Sequence, residues 1–330
     1  MRNVAKLVIV IHSVVLGLFA CGGEGAKVQD SQRFRVALLT PGPISDQSWN
    51  ASAYRGLEYI RDSVGAEIRH VQTRTPAEFA ENFRQYGAGG YTLVFGHGFE
   101  FQDAAKQVGP EFPQTYFVTT GGTGTGPNIA AMSFAFDEPS YLAGMAAAAT
   151  SKSKVLATIG GTELPPVKAS FEAFRAGARS VDPSVTVLGA FIGNWEDAGA
   201  GKEQALAMIA RKADVIFQNA DAAGLGIFQA AREHPGVWVV GSNADQNGIA
   251  PASTLGSVVI DVPRAFLLIA RDVKAGTFQP RVVRFDTKSA VVKWVPNPAI
   301  PALRPAMAAR VDSIRRAFTE GRGPALVVPK

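Results

Sequence analysis

Residues 40–50 read Thr-Pro-Gly-Pro-Ile-Ser-Asp-Gln-Ser-Trp-Asn, and they lie between an apolar run at residues 34–39 and an apolar stripe at helical spacing, Ala53, Leu57, Ile60 and Val64. The run predicts a buried strand and the stripe predicts a helix. Asp46 or Ser48 can cap that helix, and Trp49 falls near its first turn, beside free amide donors. Ligands bind at the carboxyl ends of strands in a doubly wound sheet. This turn therefore predicts a binding site. The alternative is that Trp49 is only the first residue of the apolar stripe and packs in the core.

The rest of the chain alternates apolar runs with helical periods, which indicates an α/β protein with parallel sheets covered by helices on both faces. One series of predicted strands precedes a small-residue helix at residues 140–149, and a second series follows it. Roughly 300 residues of this kind form two domains more often than one. The predicted strands are 34–39, 67–70, 91–95, 115–118 and 129–134, then 155–159, 185–191, 215–217, 237–240 and 255–260.

The boundary between two predicted lobes lies near Asp137. A helical pattern at residues 263–274 and a strand-like run at 290–295 give the chain enough material to cross between the lobes again. We therefore assign residues 34–136 and about 255–285 to lobe 1, and residues 137–254 and about 286–330 to lobe 2. Lobes joined by several crossings can hinge, and a ligand in the cleft favours the closed form by touching both lobes.

The chain begins with a targeting segment, in which Arg2 and Lys6 precede an apolar run that ends in Leu-Phe-Ala-Cys at residues 18–21. This ending resembles a bacterial lipobox, which implies cleavage before Cys21 and attachment of lipid to it. The run is short for a spanning helix, which needs about 20 residues, and Cys21 is the only cysteine. We expect a signal peptide at residues 1–20, a lipid anchor on Cys21 and a flexible tether at residues 21–33.

The charge of the chain argues against a nucleic-acid partner. There are 33 Lys and Arg against 28 Asp and Glu, and loss of residues 1–20 lowers the net charge from +5 to about +3. The sequence holds no run of basic residues that would follow a phosphate backbone. The last helical pattern, about residues 304–318, is basic and amphipathic. We expect a solvated covering helix there, with a membrane-surface role as the alternative.

Two of the four tryptophans mark turns of the same kind. Trp195 follows the predicted strand at 185–191 and precedes a helix predicted to begin near Gly201, which repeats the strand, polar turn and helix around Trp49. If each lobe contributes one turn to the cleft, two indole faces meet across it and suit a flat ring. Trp238 and Trp294 lie within apolar runs and predict core or sheet-face positions.

Polar residues also follow other predicted strands, at residues 96–100, 218–224 and 241–246. Asp and Asn there can bond sugar hydroxyls and ring nitrogens, although each alone is more typical of a helix cap or a turn. Of the histidines after residue 20, only His97 falls on this predicted rim, and no cluster has the spacing of metal ligands. The glycine-rich residues 121–126 precede a strand, which indicates a flexible surface loop and not a dinucleotide-binding turn.

In their order and spacing, several stretches between about Phe34 and Pro298 resemble the basic membrane protein family of substrate-binding lipoproteins. Studied members of that family bind purine nucleosides or bases for ABC-type import. The matching stretches are DQSWN at 46–50, GHGF at 96–99, DEPSYLAG at 137–144, FEAFRAG at 171–177, WED at 195–197 ahead of GKE at 201–203, GLGIF at 224–228 and GSNADQ at 241–246.

The resemblance implies a two-lobed type I periplasmic-binding fold, in which each lobe is a doubly wound, mostly parallel sheet. It places the base between Trp49 and Trp195, where phenylalanine is frequent in the family. Family members often carry a lysine where this chain has Ile260, which puts a ribose contact in doubt and makes a free base or a modified nucleoside as plausible. The remaining ligand-binding residues that it implies are Asp46, Asn50, Gly98, Phe99, Asp137, Asn219 and Asp245.

The sequence therefore predicts a monomeric capture protein of the cell envelope, held to a membrane through lipid on Cys21. It would close on a purine nucleoside or base and deliver it to an ABC permease, with no cofactor, no metal and no covalent chemistry. Three alternatives stay open. The same fold could bind a sugar or another aromatic metabolite, the closed form could dock on a receptor as a sensor, or Asp46 or Asp245 could act as general acid or base in a nucleoside-processing enzyme.

Overall fold

Helices and strands alternate along the chain as the sequence predicts, in a computed structural model that describes residues 33–300 and 303–326. The predicted signal peptide, Cys21 and most of the predicted tether lie outside the described residues. The strands are β1 (Arg35–Thr40), β2 (Glu67–Gln72), β3 (Leu93–Gly96), β4 (Tyr116–Thr120), β5 (Ile129–Phe134), β6 (Val155–Gly160), β7 (Thr186–Phe191), β8 (Val215–Asn219), β9 (Trp238–Asn243), β10 (Thr254–Ile260), β11 (Val282–Phe285) and β12 (Val292–Pro296).

The helices follow the predicted apolar periods and lie between these strands. Short 3₁₀ turns, among them Phe99–Phe101 and Asp221–Ala223, add to them. The helices are α1 (Trp49–Val64), α2 (Pro76–Ala88), α3 (Gln102–Val108), α4 (Asp137–Thr150), α5 (Pro165–Val181), α6 (Ala198–Ala210), α7 (Gly224–Glu233), α8 (Val262–Lys274) and α9 (Pro305–Thr319).

The strands form two sheets, and each sheet is the centre of one lobe. The first sheet has the order β11-β5-β4-β3-β1-β2 and is parallel throughout. The second has the order β12-β10-β9-β8-β6-β7 and is parallel except where β12 runs antiparallel to β10. Residues 36–39 of β1 are fully buried, as expected of a strand covered on both faces. The predicted fold class, two lobes with doubly wound, mostly parallel sheets, is confirmed.

Two details differ from the prediction. Residues 255–260 were assigned to lobe 1, but β10 bonds to β9 and β12 in the second sheet, so the chain leaves that sheet only after Ile260. No strand is predicted between the helical pattern at residues 263–274 and the strand-like run at 290–295, yet β11 lies there beside β5. The assignment of residues 255–260 was wrong because an apolar run looks the same in either sheet. The other lobe boundaries stay predictions.

The three segments that cross between the sheets lie side by side. The first leaves β5, the second leaves β10, and the third joins β11 to β12. Backbone bonds connect them, from Ala135 N to the Phe285 carbonyl at 2.7 Å and from Asp261 N to the Val291 carbonyl at 2.7 Å. Glu138 at the start of α4 also accepts from Thr287 N at 2.9 Å. We expect three crossings bonded together in this way to let the lobes hinge while restricting sliding.

The last helix covers the second lobe. On α9, Val311 and Phe318 are buried, and the Phe318 ring meets Tyr141 of α4 edge-on at 6.0 Å. Most of the remaining α9 residues are exposed, so the predicted covering helix is confirmed. Within residues 33–300 and 303–326, no helix combines the length and the apolar character needed to cross a membrane.

A candidate ligand-binding cleft

The turn between β1 and α1 is organised by the carboxylate of Asp46, which is fully buried. Its Oδ1 accepts from Ser48 N and Ala51 N, both at 2.9 Å, and its Oδ2 accepts from Asn50 N at 2.8 Å and Asn50 Nδ2 at 2.9 Å. The free amides at a helix start attract a carboxylate in this way. The Asp46 carboxylate thus caps the helix, and Ser48 makes no capping bond through its side chain.

Trp49 lies in the first turn of α1 and rests on His97, which follows β3. The two rings are stacked, with centroids 3.9 Å apart and planes inclined by 23°, while Phe134 meets the indole edge-on at 6.2 Å. His97 Nε2 lies 3.1 Å from the Trp49 carbonyl and Nδ1 lies 3.1 Å from the Thr120 hydroxyl. Because a carbonyl only accepts, Nε2 carries the proton. Burial lowers the pKa of His97 to about 3, so the imidazole is neutral.

Other predicted ligand-binding residues follow Trp49 or His97 directly in the chain or lie at the start of α4. Asn50 Nδ2 donates a hydrogen bond to Asp46 Oδ2. The buried Oδ1 of the same Asn50 amide has no hydrogen-bond partner among the described residues. Gly98 and Phe99 form the turn after β3, and the pKa of the next residue, Glu100, is raised by burial. Asp137 begins α4, where burial raises its pKa and the charge of Arg284 opposes that effect.

Trp195 occupies the matching turn in the second lobe, between β7 and α6. Its ring lies against Gly161 at the end of β6, so closely that a Cβ on that glycine would clash with Cε3 of the indole. The helix begins at Ala198 and not near Gly201, because Asp197 caps it by accepting from Ala200 N at 2.9 Å. The Trp195 carbonyl accepts from Ala223 N at 3.0 Å, which fixes this turn to the segment after β8.

That segment contains a strained acid. Asp221 has φ of +50° and is 5 % exposed. A non-glycine residue in this left-handed region costs roughly 1–2 kcal/mol, somewhat less for Asp than for most residues. Burial raises the pKa of Asp221 well above its ordinary value, and the nearby carboxylates of Asp46 and Glu100 act in the same direction. Such strain is retained where the surrounding structure enforces it, often at functional sites.

Hydrogen bonds connect the two lobes across the cleft. The Ser48 hydroxyl donates to the Ser242 carbonyl at 3.2 Å, and Gln246 Nε2 donates to the Gln47 carbonyl at 3.2 Å. Asn243 Nδ2 lies 3.2 Å from Asn219 Oδ1, 3.3 Å from Asp221 Oδ1 and 3.4 Å from Ser48 Oγ. We call the buried group Ser48, Asn219, Asp221, Ser242 and Asn243 the cleft cluster.

The structure brings most of the predicted residues to this place, but not Asp245. The first-lobe turn reaches the cleft cluster through Ser48, and the Trp195 turn reaches it through Ala223. Asp245 is exposed, accepts from Asn247 N at 3.1 Å and lines a shallow groove with Pro251 and Val295.

Sequence reasoning missed His97 as the support of Trp49, and it missed Asn243 and Asp221. Asn243 and Asp221 both lie in stretches singled out as polar strand ends. The missing signal was the end of β9: the strand stops at Asn243, so that residue and not Asp245 meets the opposite lobe. Ile260 is buried in β10, and its side chain offers no hydrogen-bond donor. Among the described residues, no three His, Cys, Asp or Glu side chains are grouped to hold a metal ion.

Comparison with known proteins identifies the family. Residues 34–306 match the family described as ABC transporter substrate-binding protein PnrA-like. The chain is 27% identical over 302 residues to basic membrane protein A1 of Borrelia garinii subsp. bavariensis, covering 89% of this chain and 88% of that one. It is 30% identical over 262 residues to the ABC transporter nucleoside-binding protein BmpA of Lactococcus lactis subsp. cremoris, covering 74% of each.

The fold of this chain also resembles that of a solved ABC transporter solute-binding protein. An ABC transporter solute-binding protein from Aeropyrum pernix K1 superposes with a TM-score of 0.82 at 18% identity, covering 90% of this chain and 93% of that chain. At this identity the likeness concerns the fold alone. The family match covers most of the chain, includes both tryptophan turns and the whole cleft cluster, and agrees with the two-lobed architecture. The chain belongs to the PnrA-like family of ABC transporter substrate-binding proteins.

Proposed function

We propose that this chain captures a purine nucleoside or base between Trp49 and Trp195 and presents it to an ABC permease for import. The observation that carries the proposal is the cleft cluster, in which the first-lobe turn before α1 meets strand ends of the second lobe in buried hydrogen bonds, beside the two tryptophan turns. Stacking on an aromatic ring holds any base, and the amides and hydroxyls of the cluster add directed hydrogen bonds. The name of the Lactococcus relative, a nucleoside-binding protein, gives independent support.

Binding without covalent chemistry fits the same geometry. Both carboxylate oxygens of Asp46 already accept from donors of α1, which leaves that group poorly placed as a general base. Asp245 lies outside the cleft cluster, exposed to solvent. Asp46, Asn50, Gly98, Phe99, Asp137 and Asn219 remain proposed ligand contacts. We further propose that Cys21 carries lipid, that the protein acts as a monomer at the outer side of a membrane, and that closure around the ligand creates the surface that the permease binds.

A panel titration tests this function. The purified protein, in mild detergent, is melted in the presence of adenosine, guanosine, inosine, their bases and ribose, and each ligand that raises the melting temperature is titrated by calorimetry. A ligand that binds only the folded state raises the melting temperature by mass action. We expect at least one purine nucleoside or base to bind in the micromolar range or tighter, about −8 kcal/mol. Binding of ribose alone, or of no compound to a folded monomer, would refute the proposal.

A further inference from the structure

Three acids at the cleft, Asp46, Glu100 and Asp221, have no basic partner among the described residues. Asp221 and Glu100 belong to opposite lobes, and their charges act on one another. In residues 33–300 and 303–326, no Lys, Arg or His lies within ion-pair distance of any of the three. His97 is close to Trp49 but neutral, because burial lowers its pKa to about 3. A buried carboxylate without a counter-ion is costly, so a cation entering the cleft would be favoured.

Asp221 lies between the two tryptophan turns. The turn that contains Asp221 is bonded to the Trp195 carbonyl through Ala223 N at 3.0 Å. On the other side, Asn243 Nδ2 joins Asp221 Oδ1 at 3.3 Å to Ser48 Oγ at 3.4 Å, and Ser48 directly precedes Trp49. The surrounding structure holds Asp221 at a φ of +50°, because such strain persists only where neighbouring contacts enforce it.

Two acceptor oxygens at the cleft, Asp221 Oδ1 and Asn50 Oδ1, have only a long, shared hydrogen bond or none among the described residues. The Asn243 amide is shared between Asp221 Oδ1 and two other acceptors, at distances of 3.2 to 3.4 Å that are long for such bonds. Asn50 Oδ1, on an amide that is 1 % exposed and bonded to Asp46 through its nitrogen, has no donor in the described part of the chain. Buried acceptors without donors are rare in native proteins, and each calls for an explanation such as a bound ligand.

We propose that this cleft selects a flat heteroaromatic ring that carries a positive charge, such as an N-methylated purine nucleoside, with Asp221 as its counter-ion. The inference rests on the proposed function and narrows its ligand. Tryptophan is the aromatic side chain that binds cations best, and a charged ring between two indoles gains that attraction in addition to stacking. The Asp221 carboxylate then supplies the opposite charge at the edge of the ring.

Charge balance gives the proposal a second readout. Without ligand, burial and the neighbouring Asp46 and Glu100 favour the protonated form of the Asp221 carboxyl, because they raise its pKa. A cationic ring favours the carboxylate, so the proton leaves Asp221 for solvent as the ligand binds. Ser48 and Asn243 are the neutral groups that face this carboxyl. A neutral ring gives no such release.

The test compares 1-methyladenosine, a cation at neutral pH, with N6-methyladenosine, which carries the same methyl group and is neutral. Calorimetry in two buffers of different ionisation enthalpy measures both affinity and protons released. We expect the native protein to bind the cation at least about tenfold more tightly and to release protons with it. Asp221→Asn should lose both effects, and Asp221→Gly, which suits the positive φ, should do the same. Asp103→Asn, on an almost fully exposed side chain of α3, is the matched control and should behave as the native protein.

The outcomes separate this inference from the proposed function. Equal or tighter binding of N6-methyladenosine by the native protein would overturn the selection for charge and leave nucleoside capture intact. A preference for the cation that survives in both Asp221 variants would overturn the role of Asp221. If the folded protein binds neither compound and no nucleoside or base in the wider panel, the proposed function fails and the inference fails with it.

Discussion

The hydroxyl of Ser48 donates to the carbonyl of Ser242 at 3.2 Å, and this bond joins the first turn of one lobe to a strand end of the other. Both residues are fully buried. Ser48 also lies 3.4 Å from Asn243 Nδ2, so a single side chain makes two contacts across the cleft. Both contacts join one lobe to the other, so we expect opening of the cleft to break them, which makes Ser48 a probe of closure.

Ser48→Ala removes both contacts and leaves the Asp46 cap of α1 in place. Since one net hydrogen bond contributes about 0.5–1.5 kcal/mol, we expect ligand affinity to fall about 2–10-fold, with faster dissociation. Stopped-flow fluorescence and calorimetry measure the two quantities. Ser45→Ala, at an exposed position of the same turn, is the control. An unchanged affinity in Ser48→Ala would show that this bond does not contribute to closure.

Gly161→Ala tests whether Trp195 contacts the ligand. The new Cβ would clash with Trp195 Cε3, so the indole must move away from its place over β6. Stacking on one aromatic ring contributes about 1–3 kcal/mol, and we expect affinity to fall by at least about fivefold while the melting temperature changes little. Gly248→Ala, with open space around the new Cβ, should bind as the native protein does. Full ligand affinity in Gly161→Ala would contradict a ligand contact of Trp195 and would indicate that this side chain only packs against β6.

His97 makes stability depend on pH. Its pKa is lowered from 6.5 to about 3 in the folded protein, so the folded state resists protonation. The contribution of His97 to the free energy of unfolding is therefore fully present above the unfolded pKa of 6.5, and it is lost as the pH falls from 6.5 towards 3. Urea unfolding across this range should show a steep acid loss that is reduced in His97→Gln and retained in His234→Gln. Equal acid slopes in all three proteins would contradict the buried neutral state of His97.

Asp221 should lower the stability of the ligand-free protein. Its folded pKa is raised, so folding is favoured where the carboxyl is protonated and loses stability as the pH rises from the unfolded pKa through the folded one. Asp221→Gly removes both the charge and the strain at a φ of +50°. We expect a gain of about 1 kcal/mol or more, roughly 2 °C in melting temperature, that grows with rising pH. Thermal melts at several pH values measure it, and a loss of stability at neutral pH would contradict this view of Asp221.

The turn at residues 40–50 shows which features of the fold and the site can be predicted from the sequence alone. Apolar runs and helical stripes depend on the local order of residues. The strand, a helix capped by Asp46 or Ser48, and the place of Trp49 in the first turn could therefore be predicted from them. The same order around Trp195 led to the second turn, with a helix start that is three residues late in the prediction because the cap at Asp197 was not recognised.

Contacts between distant segments could not be predicted in this way. His97 supports Trp49 from the end of another strand, and nothing near either residue in sequence specifies that stack. Asn243 and Asp245 both looked like candidates on one polar stretch, and only the end of β9 decides between them. Likewise, the apolar run of β10 fits either sheet, and β11 is a short edge strand with exposed residues, so neither place could be predicted from its own sequence.

The measurement that tests the central claim most directly is a crystal structure of the protein with the tightest-binding nucleoside from the panel. We expect the base between the indoles of Trp49 and Trp195, with one edge at Asp221 and the cleft cluster. A ligand seated instead in the exposed groove beside Asp245, or a closed cleft with Trp49 and Trp195 both packed against protein and no ligand between them, would contradict it.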